Sequence, residues 1–139
     1  MRIIAAIALL VAFASAECAH AGPVDELLQK YRSQGGHDFS VAAGEKLWDH
    51  PVVNAATGES RRCALCHTTD LRKTGKHAMT GKKIEPMAPS VNPERLADKA
   101  KIEKWLLRNC KWTLGRECTP QEKGDVLAYL MQVAPGAAK

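Results

Sequence analysis

After Phe13 the sequence has no apolar run long enough to cross a bilayer, for which a helix needs about 20 residues. A membrane-spanning helix is therefore excluded from the rest of the chain. No stretch shows a defensible alternation of apolar and polar residues, which argues against a β-sandwich or barrel. A second Cys-x-x-Cys is missing, so the single one, Cys63 to Cys66, is not half of an all-cysteine zinc site.

What is present begins with Met1-Arg2 and the short apolar run Ile3 to Phe13, the pattern of a secretory leader. Ala14-Ser15-Ala16 and Ala19-His20-Ala21 are both small-x-small cleavage sites. The second is preferred, because it leaves a chain starting at Gly22, just ahead of the first helix signal. We therefore expect a signal peptide over 1–21 and one domain over 22–139, soluble and exported, in the periplasm where there is an outer membrane. Glu17 disfavours a lipid anchor on Cys18.

Removing Cys18 leaves four of the five cysteines. Cys63-Ala64-Leu65-Cys66-His67 is the Cys-x-x-Cys-His attachment signature of a c-type haem: two thiols add to the porphyrin's vinyl groups, and the adjacent His binds iron from one face. A redox-active dithiol is the competing reading, but the flanking Arg61-Arg62 and Thr68-Thr69-Asp70 do not suggest a strand-helix setting. In an oxidising compartment Cys110 and Cys118 read as a disulfide, with two free thiols as the alternative.

The net charge of +5 and pI near 9.0 suit nucleic acid in principle, yet an exported haem protein rarely meets any. A basic face for an acidic redox partner fits better. Lys73, Lys76, Lys82 and Lys83 are its candidates, and a merely solvated loop is the alternative.

Helix signals punctuate the chain. Pro23 with Asp25 and Glu26 starts a first helix, which Gly35-Gly36 ends. A second is expected from about Ser40 to Asp49. Pro51 to Arg62 reads as loop, the motif as a short helical turn, and Thr68 to Pro93 as an irregular loop around the haem. Ile102, Trp105, Leu106, Asn109 and Cys110 share one face of a helix from about Asp98 to Lys111. The capping box Thr119-Pro120-Gln121-Glu122 opens the last, ending near Gln132.

This order resembles the small class I cytochrome c plan: all-α, four to five helices around one covalently bound haem c. The resemblance implies a close crossing of early and last helices at Gly44, against Tyr129 or Leu130.

The second iron face is the open question. Met87, held between Pro86 and Pro89, is the methionine candidate, with an apolar plug as its alternative role. Met79 lies in a polar run and Met131 in the last helix, while His37, His50 and His77 sit in surface-like contexts. Asn109, on the apolar face beside Cys110, is either a polar cap or a residue placed for a purpose.

Lys83 to Ser90, Ile102 to Cys110 and Leu114 to Pro120 closely resemble the sphaeroides haem protein family of oxygen-binding cytochromes c. The resemblance implies that Asn109 ligates ferric iron opposite His67, leaves on reduction, and opens a face to O2, NO or CO. It also implies a dihaem or multihaem cytochrome c as electron donor, supplied by a membrane cytochrome b. Met87 departs from the family's frequent Leu. A plain Met87-ligated electron carrier is the runner-up, and an enzyme acting on peroxide or a nitrogen oxide lacks a recognisable distal acid-base pair.

Overall fold

The structure is a computed structural model that describes residues 22–132; the expected leader lies outside the described residues. Its elements are α1 (Pro23–Ser33), α2 (Val41–Asp49), β1 (Val52–Val53), β2 (Ser60–Arg61), α3 (Ala64–His67), β3 (Gly75–Lys76), β4 (Lys83–Ile84), α4 (Lys99–Leu114) and α5 (Pro120–Met131). Five helices dominate, as expected.

Helices α2, α4 and α5 start where their capping chemistry lies. The Ser40 hydroxyl accepts from the Ala43 N–H, the Asp98 carboxylate from Lys101 N–H, and the Thr119 hydroxyl from Glu122 N–H. These contacts satisfy backbone donors that a helix end otherwise leaves unpaired. The capping box at α5 is reciprocal, because Glu122 also accepts from the Thr119 N–H.

Three expectations need correction. Helix α4 does not stop near Lys111 but continues to Leu114, where Gly115 takes the left-handed conformation (φ 70°) that ends helices at little cost. The expected loops contain two small antiparallel ribbons, with Val52 opposite Arg61 and Gly75 opposite Ile84. Two residues per strand are too few to show alternation. Trp105, placed on the apolar stripe of α4, is 48% exposed, because that stripe faces a cavity.

The core is built on the crossing of α2 and α5. A Cβ on Gly44 would lie 2.1 Å from the Asp125 carbonyl oxygen and 2.8 Å from Tyr129 Cβ, so only glycine permits this approach. Of the two expected neighbours, Tyr129 and Leu130, it is Tyr129 that meets Gly44, with Asp125 as an additional one. The buried Asp125 carboxylate accepts from the Ser40 N–H (2.7 Å) and the Gln121 amide (3.0 Å), tying the start of α2 to α5. Trp48, Ala64, Leu71, Met87, Ala88, Val126, Tyr129 and Leu130 form one buried cluster. Val24, Leu27, Tyr31, Ile102 and Leu127 form a second under α1.

Candidate functional site

A cavity of about 610 Å³ opens between α3 and α4. Cys63, Cys66, His67, Met87, Asn109, Cys110 and Cys118 all line it, so the residues singled out from sequence converge on one place. Its walls are largely apolar: Leu47, Trp48, Leu96, Ile102, Leu106 and Leu130 contribute. A flat apolar group would be received here with few polar demands.

Helix α3 is a single turn, and it places Cys63, Cys66 and His67 along the same cavity. Neither cysteine takes part in a disulfide. Burial pushes the Cys63 thiol up to about 11, which keeps it protonated. Burial, aided by the charges of Arg95 and His77, pushes the His67 imidazole down to about 4. The ring is therefore neutral, with a lone pair available to a metal, and its Nδ1 is buried without a hydrogen-bond partner. Gly75 packs directly on the motif; a Cβ there would come within 1.9 Å of the Cys66 carbonyl oxygen. Two thiols, a neutral imidazole and apolar walls fit a covalently attached haem, with Cys63 and Cys66 to bond its vinyl groups and His67 to meet the iron.

Met87 is tied to the segment that follows the motif. Its N–H and that of Ala88 both donate to the Leu71 carbonyl, at 3.0 and 2.8 Å. Arg95 braces the same loop, donating from Nε to the Pro86 carbonyl and from Nη2 to that of Glu85. Met87 is buried in the same cluster as Ala64 and Leu71.

Asn109 comes from α4, half-buried, beside the Cys110–Cys118 disulfide. That bond links α4 to the residue before the α5 cap. The capping role for Asn109 fails, since the helix closes at Gly115, six residues later. Arg61 anchors this end of α4: Nη1 donates to the Trp112 carbonyl (2.9 Å) and its guanidinium stacks on the Trp112 ring at 4.6 Å.

The remaining candidates scatter. Met79 is 70% exposed, and Met131 packs against the second cluster. His37 and His50 are exposed away from the cavity, whereas His77 is exposed but lies on its rim. His77 Nδ1 accepts from the N–H groups of Met79 and Thr80 (3.2 Å each), which makes it a turn anchor. Lys73, Lys76, Lys82 and Lys83 are all exposed, with Lys73 near Asp70 and Lys83 paired to Glu85.

Sequence reasoning missed Arg61, Arg95 and the role of Trp48. The indole N–H of a buried Trp needs an acceptor, and that requirement was the available signal for Trp48. Here the indole donates to the Thr68 carbonyl at 2.8 Å, while the ring centroid lies 5.4 Å from that of His67.

With this geometry in view, comparison with known proteins is specific. A family model described as a domain of unknown function, DUF1924, matches residues 34–130. The cytochrome c-type protein SHP of Cereibacter sphaeroides is 39% identical over 108 residues, covering 76% of this chain and 80% of the relative. The structure of oxidised SHP, an oxygen-binding cytochrome c, matches with a TM-score of 0.68 at 38% identity, over 77% of this chain and 94% of that one. Crystalline oxidised cytochrome c'' of Methylophilus methylotrophus matches with a TM-score of 0.71 at 30% identity, over 81% of this chain and 96% of that one.

Proposed function

This chain belongs to the DUF1924 family and is a cytochrome c carrying haem c, and from that premise we propose that it accepts electrons and binds a diatomic gas. Cys63 and Cys66 hold the haem, His67 is the proximal ligand, and Asn109 is the ferric distal ligand that leaves on reduction. The vacated face takes O2, NO or CO.

One observation carries this reading: Asn109 enters the cavity from α4, whereas Met87 is hydrogen-bonded and packed into the segment that follows His67. Two groups held on one side of the cavity do not serve opposite iron faces. Met87 would accordingly serve as an apolar plug at the cavity wall. Ligand chemistry agrees, since an amide oxygen is a hard, weak donor with affinity for ferric iron and little for the softer ferrous ion. After release, the Asn109 NH2 is free to donate a hydrogen bond to the incoming gas. SHP is an oxygen-binding cytochrome c, and the solution structure of cytochrome c'' concerns haem-ligand detachment; both support a ligand that comes off.

The protein is exported to the periplasm, as its leader pattern suggests. Its donor is a dihaem or multihaem cytochrome c fed by a membrane cytochrome b, and the net charge of +5 favours an acidic docking surface on that donor. The second reading, a Met87-ligated electron carrier, rests on Met87 being buried at the cavity wall.

An absorption spectrum separates the two. High-spin ferric features and rapid CO uptake after reduction favour gas binding; a near-infrared methionine-to-iron band with inertness to CO overturns it. Asn109→Ala should change the ferric spectrum and Met87→Leu should leave it unaltered.

A further inference from the structure

Thr68, the residue directly after His67, has φ 63° and ψ 169°. This region of backbone space is essentially reserved for glycine, and a β-branched residue persists there only when its surroundings over-determine it. Three contacts do so. The Thr68 hydroxyl donates to the Asp70 carbonyl (2.7 Å), the Trp48 indole N–H donates to the Thr68 carbonyl (2.8 Å), and the Tyr129 hydroxyl donates to the next carbonyl, that of Thr69 (3.3 Å). The two aromatic donors come from α2 and α5, the helices locked together at Gly44, and their rings are 5.9 Å apart.

Trp48 therefore does two things at once. Its N–H holds the chain in a sharp turn immediately after His67, and its ring backs the imidazole at 5.4 Å with the planes tilted by 42°. No hydrogen bond fixes His67 at Nδ1, so the ring's orientation depends on its backbone and on what it leans against. We infer that Trp48 is a positioning residue for the proximal ligand, acting through the strained Thr68 turn to set the direction in which His67 meets the iron. This rests on the reading of His67 as axial ligand.

The test uses the reduced, gas-free holoprotein and the iron–histidine stretching band in its resonance Raman spectrum. Trp48→Phe keeps an aromatic ring but removes the N–H donor along with part of the buried indole's bulk; the band should shift and broaden as the imidazole samples more orientations. Thr68→Gly removes the backbone penalty, so alone it should leave the band in place, and combined with Trp48→Phe it should restore the parental band. An unchanged band in Trp48→Phe overturns the inference. So does a shifted band that Thr68→Gly fails to restore, because that outcome assigns Trp48 to packing. If the unaltered protein has no such band, the reduced iron keeps a second ligand, and the proposed release of Asn109 falls together with the inference drawn from it. If the band persists in His67→Gly, the axial assignment itself falls, and the inference with it.

Discussion

The two walls of the cavity are held by different forces. The His67 wall is braced by buried apolar packing: α5 buries six residues from Gly124 to Leu130, and Trp48, Ala64, Leu71 and Met87 join the same cluster. Helix α4, which carries Asn109, buries only Ile102, Cys110 and Thr113. Beyond Ile102 and Leu106, which join the apolar clusters, its tethers are covalent and polar: the Cys110–Cys118 disulfide, the Arg61 contact to Trp112, and surface ion pairs from Lys30 to Glu103 and from Lys99 to Glu26. Packing at interior density resists displacement, whereas exposed ion pairs contribute at most about 1 kcal/mol each. The molecule thus sets His67 on a firmly packed wall and Asn109 on a less packed one, an arrangement that suits the proposed retention of His67 and release of Asn109.

The sharpest way to break that contrast is to loosen the rigid wall. Gly44→Ala should destabilise the fold by roughly 3 kcal/mol, because the added methyl meets backbone at 2.1 Å and the two helices must separate. On an exposed helix the same change would stabilise by about 1 kcal/mol, so the sign in a denaturant titration reports the crossing. Removing the tether on the other wall is next. Cys110→Ser with Cys118→Ser should cost about 2 to 3 kcal/mol in the chain-entropy account and broaden the ferric spectrum. Unaltered spectral width after that loss of stability would mean that the disulfide does not position Asn109.

Legibility in the sequence follows the same division. The rigid wall is readable because its constraints are local or periodic: the five-residue motif, the glycine at the crossing, and the capping box before α5. The expected close approach at Gly44 is present, with Asp125 as an unforeseen partner. On the other wall the end of α4 was placed three residues early, since the stop signal is Gly115 rather than the last apolar residue. The two ribbons were invisible because their pairing is set by turns, such as the one in which Asn54 Oδ1 accepts from Ala56 and Thr57 N–H groups. Arg61, Arg95 and the Trp48–Thr68 contact were not legible, because each joins residues 9 to 51 positions apart that no periodicity connects.

A substitution on the lightly held wall should separate ligand chemistry from stability. Asn109→Leu should alter the ferric spectrum while shifting unfolding by no more than about 1 kcal/mol, since a half-buried amide contributes little packing. A cost as large as that of Gly44→Ala would show that Asn109 holds the fold, and the contrast between the walls would fail.

The smallest effect sharpens the comparison at the junction where α4's tether meets α5. Glu122 caps α5 and accepts from both ends of the Arg116 guanidinium at 2.7 Å. That hydrogen-bonded pairing is the main cause that holds its carboxyl below the ordinary 4.5, against the opposing effect of partial burial. Because its pKa is lower folded than unfolded, the stability it contributes is complete above the unfolded value and is lost as pH falls from about 4.5 through the folded one. Glu122→Gln should therefore cost about 1 kcal/mol or less at neutral pH, the usual worth of a cap. It should also flatten the dependence of stability on pH below that point. Unfolding curves at neutral and acid pH check this, and a slope unchanged by the substitution would move the acid sensitivity elsewhere. The ferric spectrum of the folded protein should stay constant, since the Arg116–Glu122 pair joins α5 to the segment that follows α4 without lining the cavity.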